Sequence, residues 1–277
     1  MNTHKKWAAT ILAGALSSGG LRAESGFSLP PLSLDMSCKF ETERVERGAR
    51  LNQQTFTPKV EVRAPLFGEG ELYFGSKSFL SIRNSRFNKY DLYLGASYSF
   101  PEYGTLDAGF IHHIYRNRFA WIPSIRPRWK EIKRHSEEFY IGCTGDFFLN
   151  PSLYYCFDLT RRRHNLEGAA NYLYDLSPHG LEGFAADLSA KVGYDRIQRP
   201  FGLKDTFKAG GAFSGEKKGY LYYGAGADLV YTFNGNTTTR AGLRYEGANG
   251  KKAWISKISE KYRRNLLWFS TSIDCSF

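Results

Sequence analysis

Apolar and polar residues alternate one by one through twelve segments of this 277-residue chain. The fourth segment shows the pattern clearly, with Leu92 and Leu94 on one face and Asp91 and Gly95 on the other. A period of two is typical of β-strands with unlike faces. We predict twelve strands from these apolar positions: Leu34 to Phe40, Val60 to Leu66, Leu72 to Phe74, Tyr90 to Phe100, Leu106 to Ile114, Phe139 to Cys143, Leu153 to Leu159, Leu166 to Tyr174, Phe184 to Tyr194, Leu221 to Phe233, Thr239 to Tyr245 and Leu267 to Phe277.

The connections between these strands alternate between short and mostly long. The short ones are rich in Gly, Pro and Asn and cover residues 67–70, 101–104, 149–152, 177–183 and 234–236. The others cover residues 47–57, 78–89, 116–136, 160–164, 196–219 and 246–264. This order predicts an all-β fold, a transmembrane antiparallel up-and-down β-barrel of outer-membrane type with both termini in the periplasm. A soluble β-sandwich or lipocalin-like barrel is the alternative, but such a fold has no reason to sort its connections by length.

Both ends of the chain favour the bacterial outer membrane. Lys5 and Lys6 precede an apolar stretch from Trp7 to Leu16, and Ala23 offers a small residue for cleavage. We predict a cleaved signal peptide over residues 1–23 and the barrel over residues 24–277. The last predicted strand ends on Phe277, which makes the barrel-assembly machinery an expected partner.

The composition agrees with a membrane barrel. The chain has 18 Tyr, 21 Phe and 28 Gly but only 2 Met. Aromatic girdles at the two membrane interfaces and small residues in the lumen use these residue types. No stretch long enough for a membrane-spanning helix follows the predicted signal peptide.

Four short segments resemble the TorF-type porin family. They are Glu46-Arg47-Gly48, Gly70 to Gly75, Leu106 to Ile111 and Asn150 to Tyr155. The resemblance spans most of the predicted barrel and departs from the pattern at Ser76 and Lys77, where an aromatic residue is expected. It implies a small outer-membrane barrel that passes solutes, with no agreed substrate; the charge distribution of the chain adds small polar or anionic solutes as the expected class. The resemblance implies no catalytic residue and no cofactor.

The charge distribution is uneven. The chain carries a net charge of +11, whereas the six connections predicted to face outward sum to +22. Such a rim binds anionic lipopolysaccharide or draws anionic solutes into a pore, and the sequence leaves both alternatives open. Nucleic acid is not an expected partner of an exported barrel. The candidate anion-binding residues of the loops are Arg126, Arg128, Lys130, Arg161, Arg162, Arg163, Lys251, Lys252, Arg263 and Arg264.

Charged residues of both signs occupy the face predicted to line the lumen. Twelve strands enclose more space than the eight whose interior side chains can fill, so we expect a narrow aqueous path. In the alternative, Arg240 and Arg244 pair with acids of neighbouring strands and close the path. The candidate channel-lining residues are Asp91, Asp107, His113, Glu138, Asp187, Lys191, Asp228, Arg240 and Arg244.

Catalysis is not expected from this sequence. His112 and His113 form the one histidine pair, but no suitable serine accompanies them, so we interpret His112 as a residue of the membrane interface. The histidines of the connections lack the spacing of metal ligands. A non-conducting structural or adhesive barrel is the remaining alternative to a channel.

Two cysteines lie on the first and last predicted strands, which must pair to close the barrel. Cys38 and Cys275 both belong to the lipid-facing set near the periplasmic rim. If they stand directly opposite each other, a disulfide is feasible in the oxidising periplasm. The alternative is two free thiols that face lipid. A register offset of two residues between the first and last strands would forbid the disulfide and leave both thiols free.

Overall fold

The structure is a computed structural model that describes residues 31–47, 49–83, 88–115, 119–122, 128–131, 135–160, 162–197, 219–249 and 265–277. The barrel forms one compact unit, Leu32–Phe277. The predicted signal peptide lies outside the described residues. No helix among the residues described is both long enough and apolar enough to cross a membrane.

The described residues form fourteen strands, twelve of them in the barrel wall. The wall consists of β1 (Ser33–Glu46), β2 (Ala49–Pro65), β3 (Gly70–Ser81), β4 (Lys89–Phe100), β5 (Gly104–Tyr115), β8 (His135–Gly145), β9 (Ser152–Asp158), β10 (Arg163–Asp175), β11 (Phe184–Ile197), β12 (Tyr220–Asn234), β13 (Thr237–Asn249) and β14 (Asn265–Ser276). A separate two-stranded ribbon, β6 (Phe119–Ile122) and β7 (Arg128–Glu131), interrupts the connection between β5 and β8.

Each wall strand pairs in antiparallel fashion with its neighbours along the chain, and the pairing of β1 with β14 closes the barrel. Leu34 and Phe277 exchange two backbone hydrogen bonds, each with an N···O distance of 2.9 Å. Both ends of the wall therefore lie at one rim of the barrel. The predicted fold class, an antiparallel transmembrane barrel of twelve strands, is confirmed.

The outside of the barrel is apolar and the inside is polar. Leu92 and Leu94 point outward and are 42% and 56% exposed, whereas the alternating Asp91 is 7% exposed. A closed sheet satisfies its backbone hydrogen bonds within the wall, so its outer surface tolerates hydrocarbon. The predicted facing of the fourth strand is therefore confirmed.

Two predictions about the wall are wrong in detail. The connection predicted over residues 47–57 is largely strand, because β2 begins at Ala49. The predicted opposition of Cys38 and Cys275 does not occur, since Cys38 pairs with Ile273 and Cys275 with Met36. This offset of two residues keeps both thiols on the outer face but leaves them free. The five short turns, in contrast, lie where the sequence predicted them.

Candidate functional site

The candidate functional site is the barrel lumen, whose wall carries paired charges. All nine candidate channel-lining residues are on the inward parity of their strands. Along β4 and β5, the Asp91 carboxylate lies 3.0 Å from the Lys89 ammonium and 2.8 Å from Nδ1 of His113. Asp107 accepts hydrogen bonds from the hydroxyls of Tyr73 and Tyr154.

The lumen face of the wall from β11 to β14 contains several ion pairs. Arg240 Nη1 lies 2.5 Å from the Asp187 carboxylate. The guanidinium of Arg244 pairs with Asp228. The ammonium of Lys191 pairs with Glu246. These pairs match the alternative considered for Arg240 and Arg244, and they leave little free charge on this side of the lumen.

The outer half of the first hairpin leaves the barrel wall. β1 pairs with β14 only as far as Glu41, and β2 pairs with β3 only from Thr55 onward. Residues 42–54 therefore pair only with each other, and we call this segment the inner hairpin. Gln54 has a φ of 47°, a left-handed conformation that turns the strand where it departs from β3.

Side chains replace the missing strand ladder at the base of the inner hairpin. Thr42 Oγ1 accepts a hydrogen bond from the backbone N–H of Phe269 at 3.1 Å. On the other side, Gln54 Oε1 accepts from Arg83 Nε at 3.0 Å. The backbone carbonyl of Gln54 accepts from the Ile82 N–H at 2.9 Å. The base is thus fixed to β14 and to the end of β3.

The tip of the inner hairpin reaches across the lumen. Arg47 donates to both carboxylate oxygens of Glu138 on β8, at 2.9 and 3.0 Å. The hydroxyl of Tyr220 on β12 donates a hydrogen bond to the backbone carbonyl of Arg47 at 2.9 Å. Around the wall, β8 stands five strands from β1 in one direction and β12 three strands in the other. The tip therefore bridges well-separated parts of the wall.

Charges from several strands surround the hairpin tip. Arg44 pairs with Glu46 at 3.0 Å and stacks on the Phe79 ring, with Cζ 3.5 Å from the ring centroid. The Glu46 carboxylate also interacts electrostatically with Lys89 and Arg47. Because charges in a confined interior need partners, this network holds the hairpin inside the barrel instead of in solvent.

A chamber of about 670 Å³ lies beside the inner hairpin, between β1, β2, β3, β4, β5, β8 and β9. It is lined by side chains of both charges, together with tyrosine and phenylalanine. The charged residues that line it are Lys39, Glu41, Arg44, Glu46, Lys59, Glu61, Arg63, Lys77, Lys89, Asp91, Asp107 and Glu138.

Tyrosine rings lie on glycines of the neighbouring strand along the chamber wall. Tyr93 pairs with Gly75 across β3 and β4, and a Cβ atom at Gly75 would meet the Tyr93 hydroxyl at 2.3 Å. Tyr140 covers Gly109 in the same manner between β8 and β5. Glycine is required at these positions because the ring occupies the side-chain volume. The rings thereby flatten against the wall and leave the chamber open.

The loop candidates separate in the structure. Arg162 is exposed in the turn before β10. Arg163, which we expected on the rim, faces the lumen instead and binds the carboxylate of Asp195. That prediction is wrong because Arg163 begins β10 on the inward parity. Arg128 and Lys130 belong to β7, and the remaining candidates, Arg126, Arg161, Lys251, Lys252, Arg263 and Arg264, lie outside the described residues.

No catalytic or metal-binding arrangement emerges from the described residues. Nδ1 of His112 lies 3.6 Å from the Glu137 carboxylate, and its ring stacks on His135 with centroids 5.9 Å apart. Within the same part of the chain, no group of three or more His, Cys, Asp and Glu side chains is placed to hold a metal ion.

Comparison with known proteins finds similarity to outer-membrane barrels in solved structures. A KdgM porin in complex with disordered oligogalacturonate has a TM-score of 0.48 and 11% identity, and the match covers 88% of this chain and 99% of that one. The COG4313 outer membrane channel from Pseudomonas putida F1 has a TM-score of 0.48 and 8% identity, covering 93% and 100%. The NanC porin has a TM-score of 0.44 and 14% identity, covering 88% and 98%.

Sequence comparison adds no family. No protein-family model matches the chain, so the TorF-type resemblance is not confirmed. No curated protein matches it either. With TM-scores of 0.48 or less and identities of 14% or less, these structures carry no argument about this chain beyond the similarity stated.

Proposed function

We propose that this protein is a narrow outer-membrane channel for small polar or anionic solutes, with the inner hairpin as its constriction. The observation that carries the proposal is the charged chamber of about 670 Å³ inside a barrel with an apolar exterior. An interior built only to stabilise a barrel does not need this volume. Catalysis is not part of the proposal.

The inner hairpin determines the expected conductance. Its tip is held by Arg47 to β8 and by Tyr220 from β12, which narrows the path past the chamber. We therefore expect small conductance steps from the wild-type protein in planar bilayers. Replacing residues 43–53 with a short Gly-Ser turn removes the constriction and should increase the step size severalfold.

This experiment separates the channel from a non-conducting structural or adhesive barrel. Heat-modifiable migration in detergent gels confirms that each variant is folded before the recording. The control is Gly235→Ala, a turn substitution whose added Cβ meets no atom within 4 Å, so it leaves the lumen unchanged. A folded variant without the hairpin that still gives no conductance would contradict the channel function and favour the alternative.

The compartment and the partners belong to the same proposal. The predicted signal peptide over residues 1–23 would export the chain, and the strand that ends near Phe277 would engage the barrel-assembly machinery. The basic outer connections would contact lipopolysaccharide. Exposed Arg162 supports this last contact, because a cation in solvent is available to phosphate. Fractionation of the protein with outer-membrane vesicles tests the compartment.

A further inference from the structure

One lysine of the chamber departs from the pairing of the lumen. Eleven inward-facing lysine and arginine side chains are described on the wall strands and at the hairpin tip, and ten of them form ion pairs. Lys77 on β3 is the exception among them. Its ammonium lies 5.0 Å from the centroid of the Phe79 ring and forms no salt bridge with a described residue.

The acids near Lys77 are already engaged. Asp91 stands opposite Lys77 in the register of β3 and β4, but its carboxylate is taken by Lys89 and His113. The Glu41 carboxylate, which also interacts with Lys77, lies 2.7 Å from Lys39. Neither acid is therefore free to neutralise Lys77.

Cations, in contrast, gather around Lys77. Lys59 is its direct neighbour across β2 and β3, and like charges in directly opposed positions destabilise a sheet. Lys39 and Arg44 act on it electrostatically with the same sign. The Phe79 ring carries three cations, because Arg44, Lys77 and Lys89 all lie within 5.2 Å of its centroid. Such a cluster is costly without a counter-charge.

The ion pairs of the chamber show which cation of its lining lacks a partner. Its lining contains six lysines and arginines and six acids. One of the acids, Glu138, is neutralised by Arg47 of the hairpin tip, which does not line the chamber. Arg63 in turn is bound by Asp35 and Glu71, which also lie outside the lining, so the lining as a whole has no fixed excess of positive charge. Within the described lining, Lys77 is the cation that forms no ion pair.

We propose that Lys77 is the anion-binding subsite of the lumen, where a small monovalent anion such as a carboxylate pairs with the ammonium during transit. Lys39 and Arg44, which act on Lys77 with the same sign, add to the positive field around it. The passage of the anion through the lumen rests on the proposed channel function, whereas the binding of the anion to Lys77 does not require conduction. The chamber volume accommodates a small organic acid.

Two measurements on the full chain test the subsite. The first is the line width of ³⁵Cl in solutions of the detergent-solubilised protein, and its decrease on addition of acetate. The second is the anion-to-cation permeability ratio in planar bilayers under a potassium acetate gradient. The variants are Lys77→Gln, Lys77→Arg and, as the matched control, Lys59→Gln, which removes one charge of the same chamber that is already paired with Glu61 at 2.9 Å.

We expect Lys77→Gln to weaken chloride and acetate binding about tenfold, because a charge-assisted contact in a confined site is lost. Lys77→Arg should retain binding, and Lys59→Gln should change it less than threefold, an order-of-magnitude expectation for an indirect charge effect. The permeability ratio should follow the same order. If Lys77→Gln and Lys59→Gln weaken anion binding equally, the anion is held by the summed field of the chamber and not by Lys77, and the proposal is overturned.

The two proposals fail in different ways. Chloride broadening that depends on Lys77 in a protein without conductance would support the subsite and contradict the channel. The opposite result is a conducting protein in which Lys77→Gln changes neither the ion selectivity nor the ³⁵Cl line width. It would support the channel and contradict the subsite. Heat-modifiable migration again identifies any variant that is not folded. If Lys77→Gln does not fold, Lys77→Met, which keeps most of the length of the side chain but not its charge, replaces it and is expected to lose the same binding.

Discussion

Releasing the tip of the inner hairpin should expose a native thiol that it now covers. Glu138→Gln replaces the carboxylate that accepts both hydrogen bonds from Arg47, in a pair whose side chains are 13% and 7% exposed. A hydrogen bond to a charged group contributes about 1.5 to 3 kcal/mol. Losing that amount multiplies the population of hairpins released from the wall by about 10 to 150.

Cys156 on β9 reports this release, because it is the inward-facing member of the four cysteines and interacts with Arg47. The assay is the rate at which a neutral maleimide–polyethylene glycol modifies Cys156 in a background of Cys38→Ser, Cys143→Ser and Cys275→Ser. If opening is fast relative to labelling, the rate follows the open population. We expect Glu138→Gln to accelerate labelling by the same factor of about 10 to 150.

A second variant separates release of the hairpin from a direct effect on the thiol. The Glu138 carboxylate disfavours a neighbouring thiolate and the Arg47 guanidinium favours it, so removing either charge changes intrinsic reactivity in opposite directions. Arg47→Gln releases the hairpin as Glu138→Gln does. Acceleration in both variants supports the constriction. Acceleration in Glu138→Gln with slowing in Arg47→Gln would refute it, and Asp228→Asn should leave the rate unchanged.

Two further predictions concern the wall and the rim. Gly75→Ala should destabilise the barrel by about 1 to 3 kcal/mol in urea titrations followed by gel migration, because the added Cβ meets the Tyr93 ring, whereas Gly235→Ala, with no atom within 4 Å, should be neutral. Arg163→Gln should lower stability by about 3 to 5 kcal/mol in the same titration, since it leaves the fully buried Asp195 unpaired. Arg162→Gln should instead weaken lipopolysaccharide binding at low salt without changing stability, and equal stability losses in both arginine variants would contradict this division.

The sequence predicted the wall well because lipid imposes a period of two on every strand. Leu92 and Leu94 face outward in the structure as the alternation required. The inner hairpin escaped prediction for the opposite reason. The polar run Asn52, Gln53 and Gln54 interrupts the alternation of apolar residues there, so the stretch resembles a loop in the sequence.

Alternation also fixes the side of the wall on which a charge lies but not its partner. Arg161, Arg162 and Arg163 form one basic run in the sequence, yet Arg163 points inward to Asp195 while Arg162 stays in solvent. The partner depends on the strand register, and a shift of two residues preserves every facing while it exchanges every contact.

Lys59 and Lys77 illustrate what the register adds. Both are inward-facing lysines, but Lys59 has Glu61 two residues further along its own strand, whereas Lys77 has no acid within five residues on either side. In the structure, Lys59 lies beside Glu61 of its own strand, whereas the acid opposite Lys77 is bound by Lys89 and His113. Which lysine is left without an ion pair therefore follows from the register of four strands, β2 to β5, and not from the sequence of either strand alone.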